Sequence, residues 1–456
     1  KFPTDQQWAF FPSVSGGWRV SEEAFWKVNP DLFSNLKIRA SYGSLGNGNV
    51  SPYSFLELLS ISTSGRVLNG LKNKYTSAPA VMPDGLTWET ATTTDVGLDF
   101  GMLNNRLQFN GDYYIRKTTD MYTVGETLPD VFGASSPKGN YADMTTKGWE
   151  ITLTWRDQFT LAEKPFNYEI RGTLSDYIST IDRYNNQTGN LDDYYAGKRV
   201  GEIWGYVTEG LFRDQADIDS HADQTLIQSS SKRITYPGDV KIKDLNGDHV
   251  IDYGNNTVDD HGDKTVIGNT LPRYAYSINL SGDWNNFFLS AFFQGVGKQD
   301  WYPSSECIFW GQYNRPYNNM PTWHQGNYWT EDNTDAYLPR YAGYNASLKS
   351  TPQTRYLQNV AYIRLKNLQF GYTLPQPIVS KAKLQNVRVY ISAENLWCWS
   401  PLYKHTRDLD VTNIYGSDPD LTDADMSSGL NGNRGSGDGN SYPQMKSVSL
   451  GLSVTF

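Results

Sequence analysis

The segment KDLNGDHVID at residues 243–252 carries the side chains best suited to binding a metal ion. Asp244, Asn246 and Asp248 occupy positions one, three and five of a calcium-type loop. The carbonyl of Val250 would be position seven, and Asp252 would be position nine. Carboxylate, amide and carbonyl oxygens are the ligands that Ca²⁺ prefers. The spacing therefore predicts a structural Ca²⁺ ion that stiffens an exposed loop.

This match to a calcium loop is incomplete. The turn glycine, Gly247, is at position four rather than six, and position twelve is Asn255 instead of a bidentate acid. Asp259 or Asp260 would have to supply the last ligand. Turns rich in Asp and Asn are also stabilised by bonds from side chain to backbone without any ion. Both interpretations stay open from the sequence.

A second set of candidate binding residues is aromatic and lies between residues 301 and 329. Flat aromatic faces stack on sugar rings and pack against partner proteins. A long loop also needs a small core of its own, and that interpretation is favoured for most of these residues. The candidates for contact with substrate or partner are Trp301, Tyr302, Trp310, Tyr313, Tyr317, Trp323 and Trp329.

Catalytic machinery is not evident in the sequence. The five histidines are scattered, and Asp408, Asp410, Asp418 and Asp420 fit a solvated acidic loop better than a pair of glycosidase carboxylates. The glycine-rich stretch GLNGNRGSGDGN lacks the Lys-Ser/Thr that follows a phosphate-binding loop. We therefore expect a protein that is not an enzyme.

Composition narrows the class of protein further. The net charge of -9 argues against a nucleic-acid partner. Aromatic residues make up 14% of the 456 residues, a density that suits interfacial girdles or carbohydrate-stacking surfaces. Cys307 and Cys398 are too few for a disulfide framework, and two free thiols are favoured over a single disulfide.

Segments with a two-residue period recur along the chain and predict β-strands. Examples are NLKIRASYG, TDVGLDFG, LQFNGDYYIRK, KGWEITLTWR, FNYEIRGTLSDY, RYAYSINLSGDWNNFFLSAFFQG and NVRVYISAENLW. Most of these strands carry charge on their second face. Only RDQADIDS and PQPIVSKAKLQN suggest short helices or turns, and no apolar run is long enough for a membrane helix.

The connections between these strands are unequal in length. Short turns at Asn104-Asn105 and Asn285-Asn286 alternate with long, irregular segments around residues 214–270, 298–358 and 400–443. Long loops of this kind are uncommon in compact soluble domains. An outer-membrane barrel has short turns at one end and long loops at the other. The pattern therefore predicts an all-β fold, an antiparallel transmembrane β-barrel with long extracellular loops.

The last ten residues, SVSLGLSVTF, form the clearest of these alternating segments. Val448, Leu450, Leu452, Val454 and Phe456 share one face of the predicted strand, and small polar residues share the other. A soluble sandwich would bury the apolar face, whereas a membrane barrel would turn it toward lipid. The unequal connections favour the barrel.

Nine stretches, in order along essentially the whole chain, together resemble the C-terminal barrel portion of SusC/RagA-type TonB-dependent outer-membrane transporters. They are SVSGGWRVSEEAFW, NLKIRASYGSLGN, LTWETATTTDVGLDFGMLNNRLQFNGDYYIRKTTDMY, TTKGWEITLTW, YPGDVKIKDLNGDHVID, LPRYAYSINLSGDW, YWTEDNTDAYLPR, YIRLKNLQFGYTLP and SVSLGLSVTF. The resemblance implies a barrel of about 22 strands whose lumen holds a plug domain. Residues 1–456 would be its C-terminal part, and we expect the signal peptide, plug and first strands to lie outside this chain.

The same resemblance implies function and partners. Such transporters import oligosaccharides, or oligopeptides for some members, in cooperation with a SusD-like surface lipoprotein and with TonB. A dimer of transporter–lipoprotein pairs is compatible with it, with outer-membrane lipid around the barrel. A terminal aromatic residue resembles the signal that barrel-assembly machinery reads, which assigns that role to Phe456. A secreted all-β carbohydrate-binding or adhesin-like protein and a passive porin remain as alternatives.

Overall fold

The computed structural model describes residues 1–56, 59–77, 85–125, 131, 136–228, 234–303, 307–313, 318–342, 351–412, 414 and 444–456. These residues form mainly antiparallel strands, together with the short helices α1 (Gln215–Asp219) and α2 (Gln376–Val379). Both helices coincide with the two segments for which the sequence predicts short helices or turns. Within the described ranges, no helix combines the length and apolar character needed to cross a membrane.

The strands of the described residues follow one another along the chain. They are β1 (Ser13–Trp18), β2 (Phe33–Asn47), β3 (Ile61–Leu68), β4 (Leu71–Thr76), β5 (Glu89–Met102), β6 (Leu107–Val124), β7 (Lys138–Leu161), β8 (Lys164–Arg183), β9 (Glu202–Tyr206), β10 (Thr208–Leu211), β11 (Val240–Ile242), β12 (Lys264–Asn269), β13 (Arg273–Trp284), β14 (Phe287–Lys298), β15 (Asp300–Trp301), β16 (Gln358–Asn359), β17 (Tyr362–Thr373), β18 (Asn386–Trp399) and β19 (Ser447–Thr455). Each of the alternating segments above coincides with one of these strands or with a hairpin of two.

The segments predicted to be irregular contain short strands as well, so that part of the prediction was wrong. Strand β11 pairs with β10, β12 with β9, and β15 with β16. Each of these strands has two to six residues. A two-residue period cannot be recognised over so few positions, and the pairing partners lie far away in sequence.

The chain divides into two compact units. The first comprises Lys1–Phe100, Asn110–Glu150 and Tyr177–Val200, and the second comprises Gly101–Phe109, Ile151–Asp176 and Gly201–Phe456. Strands in the first unit follow the order β1-β2-β5-β6-β7-β8, with β3 and β4 as a separate hairpin. In the second unit the main order is β6-β7-β8-β13-β14-β17-β18-β19.

Two tight turns of the second unit use the Asn pairs that the sequence indicated. Asn104 and Asn105 have φ angles of 58° and 62°, and Asn285 and Asn286 have φ angles of 47° and 69°. Asn adopts this left-handed conformation more readily than most residues. Successive positive φ angles match the twist of a hairpin, so these dipeptides fix the register of the strands that they join.

That register gives the sheet of the second unit two chemically distinct faces. One row of paired residues across six strands is entirely apolar: Ile170, Leu280, Ala291, Leu368, Ala393 and Val448. The neighbouring row points the opposite way and is entirely polar: Glu169, Ser281, Ser290, Gln369, Ser392 and Ser449. We call the surfaces that contain these rows the apolar face and the polar face.

The largest buried cluster of the second unit lies in its long connections. We call it the loop core. Its fully buried members with the largest side chains are Tyr206, Ile242, Ile251, Trp301, Phe309, Trp310, Tyr313, Leu338 and Tyr356. A loop region of this size needs such a core, because its segments have little regular structure to hold them together.

Candidate functional site

Three of the predicted aromatic contacts lie inside the loop core. Trp301, Trp310 and Tyr313 are each at most 1% exposed. The indole N–H of Trp310 donates to the carbonyl of Pro303 at 3.2 Å, and the hydroxyl of Tyr313 donates to that of Pro339 at 2.6 Å. No face of these three rings is open to a ligand in this conformation. Their packing favours the interpretation that the loop uses them as its own core.

A histidine that the sequence did not single out organises this core. His324 is fully buried, and its Nε2 lies 2.9 Å from the carbonyl oxygen of Phe309. Its Nδ1 lies 2.6 Å from the hydroxyl of Tyr341. Burial lowers the pKa of His324 to about 4. The ring is therefore neutral at neutral pH, with Nε2–H donating to the carbonyl and Nδ1 accepting from Tyr341.

Three other rings form a partly exposed cluster, which we call the surface aromatic cluster. It consists of Trp323, Tyr337 and His405. The rings of Tyr337 and His405 are stacked, with centroids 4.5 Å apart and an interplanar angle of 11°. The ring of Trp323 lies 5.8 Å from His405 and 6.5 Å from Tyr337. Trp323 is partly exposed, and its ring also packs against Phe309 and His324 of the loop core, with centroids 4.9 and 4.3 Å apart.

The remaining aromatic candidates differ in their surroundings. Tyr302 is partly buried, and its hydroxyl donates to the carbonyl of Thr351 at 2.8 Å. Trp329 is partly buried against Gly238, where a Cβ would lie 2.5 Å from the indole. Tyr317 lies outside the described residues. Contact of these side chains with cargo or a partner stays a prediction.

The acidic loop folds as a series of turns that its own side chains stabilise. Asp244 accepts hydrogen bonds from the amides of Gly247 at 2.6 Å and His249 at 2.9 Å. Asn246 accepts from the amide of Asp248, and Asp248 accepts from that of Val250. The bond from Gly247 is the main reason that the pKa of Asp244 lies below its usual range.

The candidate calcium ligands of this loop accept hydrogen bonds from its own backbone amides. Asp252 accepts from the amide of Gly254 at 2.8 Å, and Asp260 bonds to Asn255. The candidate ligands suit a hard cation in type, because each offers an oxygen. Over the described ranges, no group of three or more His, Cys, Asp and Glu side chains is arranged to hold a metal ion. The Ca²⁺ ion stays a prediction.

Ion pairs and polar contacts occupy the polar face near the short turns. Arg156 and Glu169 approach to 2.6 Å, and Asn167 donates to Asp283 at 2.8 Å. The guanidinium of Arg388 stacks over Phe288 at 4.1 Å. These charged groups are partly exposed, and removing their exposed parts from water would cost free energy. The polar face should therefore be in contact with water. Such a face suits the hydrated interior of a barrel.

The C-terminal strand pairs with β18, and its apolar side chains continue the apolar face. Val448, Leu450 and Leu452 are exposed, while Val454 is half-buried. Phe456 follows the strand directly and is 83% exposed. The recognition of Phe456 by assembly machinery stays a prediction.

Two buried ion pairs were not found from the sequence. Arg364 bonds to Asp410 at 2.5 Å and to the side chain of Gln444 at 2.7 Å. Asp410 is thus buried, contrary to the expectation of a solvated acid, whereas Asp408 is exposed and Asp418 and Asp420 lie outside the described residues. Arg340 pairs with buried Asp239 at 2.7 Å. These partners are 46 to 101 residues apart, and no local pattern identifies them.

Both cysteines are free thiols, as the sequence favoured. Cys307 is buried in the loop core, and Cys398 is partly buried. The hydroxyl of Tyr403 lies 3.7 Å from the sulfur of Cys398.

Comparison with known proteins places these features in a family. Residues 1–396 match the family model described as TonB dependent receptor-like, beta-barrel. The chain is 29% identical over 479 residues to TonB-dependent receptor P3 of Formosa agariphila, a match that covers 100% of this chain and 42% of the relative. It is 24% identical over 472 residues to TonB-dependent receptor SusC of Bacteroides thetaiotaomicron, covering 100% of this chain and 41% of that protein. The chain therefore spans less than half the length of these curated relatives.

Solved structures give the same fold. A structure of the RagAB peptide transporter superposes with a TM-score of 0.71 at 19% identity, covering 100% of this chain and 44% of that one. A structure of the RagAB peptide importer in its open-open state gives a TM-score of 0.66 over 88% of this chain and 40% of that one. At 19% identity, these superpositions establish the fold alone.

Proposed function

Because the chain belongs to the TonB-dependent receptor-like β-barrel family, we propose that it forms the barrel portion of a transporter that imports oligosaccharides across the outer membrane. Family membership confirms the all-β antiparallel fold class, the outer-membrane location and the prediction that the protein is not an enzyme. It also favours a membrane barrel over the secreted adhesin-like alternative. The apolar face is then the surface that meets lipid, and the polar face lines the lumen.

The surface aromatic cluster is the observation that supports oligosaccharide as the cargo. Flat aromatic rings that keep part of their surface exposed can stack on sugar rings. Trp323, Tyr337 and His405 belong to the long connections, which are the extracellular side in such a barrel. We infer that this cluster contacts the cargo.

The partners of the proposed transporter follow from its family. A SusD-like surface lipoprotein would hold cargo at the extracellular mouth. TonB would supply energy through a part of the transporter that precedes this barrel portion. Cargo would then move along the polar face.

Binding measurements on the full-length transporter with its lipoprotein test the choice of cargo. Replacing Trp323 by Ala should weaken oligosaccharide binding about tenfold, which corresponds to loss of about 1.4 kcal/mol of contact. The matched control is Trp397→Ala, which removes an exposed indole from strand β18. If the Trp323 variant and the wild type bind oligosaccharide with equal affinity, the surface aromatic cluster does not contact the cargo.

An oligopeptide is the second candidate cargo. The solved structures with this fold include the RagAB peptide transporter. The same titrations with mixed oligopeptides decide between the two classes. Saturable binding of peptides together with no binding of glycan fragments would establish the second candidate and refute the first.

We also propose that the acidic loop binds a structural Ca²⁺ ion through Asp244, Asn246, Asp248, the Val250 carbonyl and Asp252. The oxygen-only donor set and its odd-numbered spacing support this. Ca²⁺ should slow proteolytic cleavage of the loop, and the double substitution Asp248→Asn/Asp252→Asn should abolish that protection. Asp219→Asn, in helix α1, is the control. Cleavage rates that do not depend on Ca²⁺ would contradict the proposed ion. The turns of the loop would then be stabilised by hydrogen bonds from side chain to backbone alone.

A further inference from the structure

A groove of about 360 Å³ lies on the apolar face of the second unit, toward the short turns. Its lining is almost entirely carbon. The principal lining residues are Phe159, Phe166, Ile170, Leu280, Gly282 and Leu289. The volume lies in the range of pockets that hold small ligands.

The groove lies beside Gly282, a position of the apolar face that has no side chain. Gly282 pairs with Tyr168 on one side and with Leu289 on the other, and both of these carry large side chains. A Cβ at Gly282 would lie 3.3 Å from the ring of Phe166. The carbonyl oxygen of Asn167 would be equally close, so a longer side chain at Gly282 would have to push the Phe166 ring into the groove and would occupy it.

The walls of this groove are open to the surroundings. Phe159 is 52% exposed, Leu289 is 49% exposed and Ile170 is 45% exposed. Contiguous exposed apolar surface of this kind is characteristic of a binding or membrane surface. The apolar face meets the hydrocarbon of the outer membrane, so the molecules in contact with the groove there are lipid chains.

A cation lies at the end of the groove that is nearer the membrane surface. Lys164 is exposed at the start of β8, and it shares a strand face with Phe166, two residues away. Its Nζ contacts the side chain of Asn285 in the neighbouring turn. Lysines at the ends of membrane-spanning segments attract lipid phosphates. The groove and Lys164 together match a molecule with an apolar chain and an anionic head.

We propose that this groove holds one acyl chain of an outer-membrane phospholipid, with the lipid phosphate against Lys164. The short-turn end of the barrel is the periplasmic end, which places the lipid in the inner leaflet. The bound chain lies in the groove beside Gly282 and covers the exposed rings that line it. This site is separate from cargo binding, because it lies on the opposite face from the lumen.

Native mass spectrometry of the full-length transporter, extracted from outer membranes in mild detergent, tests the proposal. The wild-type protein should retain one phospholipid per chain. Gly282→Leu should lower the retained fraction about tenfold, because the leucine replaces several acyl methylenes. The matched control is Gly172→Leu, on the same face of β8, where no atom lies within 4 Å of an added Cβ. Retention in the control should equal that of the wild type.

A second pair of variants tests the head group without changing the groove. Lys164→Glu should lower phospholipid retention severalfold, and Lys381→Glu, near another connection of the second unit, should not. Equal retention by Gly282→Leu and the wild type would overturn the proposal. Retention of lipid A or of detergent in place of phospholipid would overturn it as well. Cargo affinity should be the same in all four variants, which separates failure here from failure of the proposed transport function.

Discussion

The ion pair between Arg364 and Asp410 offers a sharp test of how the last long connection is held. Their side chains are 5% and 8% exposed, and Arg364 also bonds to the side chain of Gln444. Asp410 in turn accepts from the backbone amide of Gln444 at 3.1 Å. The pair thus fixes positions on both sides of residues 415–443 to strand β17.

The expected cost of breaking this pair follows from its burial. Removing one partner of a buried pair costs about 3–5 kcal/mol, because the other charge is left without compensation. Asp410 keeps hydrogen bonds from the amide and hydroxyl of Thr412 in the single variant Arg364→Met. We therefore expect the low end of that range, about 3 kcal/mol. In the double variant Arg364→Met/Asp410→Asn the loss should be smaller than the sum of the single losses by about 2 kcal/mol.

Hydrogen exchange of the full-length protein in detergent measures this loss locally. The amides of Thr412 and Gln444 should exchange about a hundredfold faster in Arg364→Met, since 1.4 kcal/mol corresponds to a factor of ten. The control pair is Arg106 with Asp157, whose atoms are 3.3 Å apart and much more exposed. Its variants should cost less than about 1 kcal/mol. Losses that add within about 0.5 kcal/mol in the Arg364/Asp410 cycle would refute the coupling.

Three further predictions concern single positions. Burial lowers the pKa of His324 to about 4, below the roughly 6.5 of a histidine in the unfolded chain. The unfolded state therefore takes up a proton first as the pH falls. The free energy of unfolding should decrease by up to about 3 kcal/mol between pH 6.5 and pH 4. Thermal unfolding of His324→Gln should lack this component of the pH dependence, whereas a variant of exposed His249 should keep it. Phe456→Asp should reduce assembly in the outer membrane, measured as the folded fraction in membrane extracts. The control is Thr455→Asp, on the polar face. Normal assembly of the Phe456 variant would contradict a role of the terminal aromatic residue in assembly. Asn286→Val should destabilise the β13–β14 hairpin by about 1–2 kcal/mol, because a β-branched residue is unfavourable at a φ of 69°. Thermal unfolding measures this loss. Asn286→Gly is the control and should unfold at nearly the same temperature as the wild type.

Strand existence and the faces of strands were predictable from the sequence because the two-residue period is local. Val448, Leu450 and Leu452 share a face in any strand that contains them, whatever the neighbouring strand is. The pairs Asn104-Asn105 and Asn285-Asn286 were predictable for the same reason, since a positive φ is a property of a residue and its immediate neighbours.

The role of each aromatic residue in the loops was not predictable from composition. Trp310 and Trp323 lie in the same aromatic-rich segment, yet the first is fully buried and the second is partly exposed. Burial depends on which distant segments cover a ring, and those contacts come from residues such as Tyr356 and His405. His324 gave no sequence signal at all, because its partners are a backbone carbonyl and a tyrosine hydroxyl.

The sequence by itself determined the class of this protein: alternating strands, short Asn turns, long polar connections and an apolar C-terminal strand. Each of these features depends on residues that are neighbours in sequence, so a local sequence pattern is sufficient to predict it. The tertiary structure alone decided which side chains meet. The pairing of Arg364 with Asp410, the burial of His324 and the groove beside Gly282 all require strands or loops that are far apart in sequence to lie side by side. Such contacts depend on the register and coverage of the whole fold, which no local pattern records.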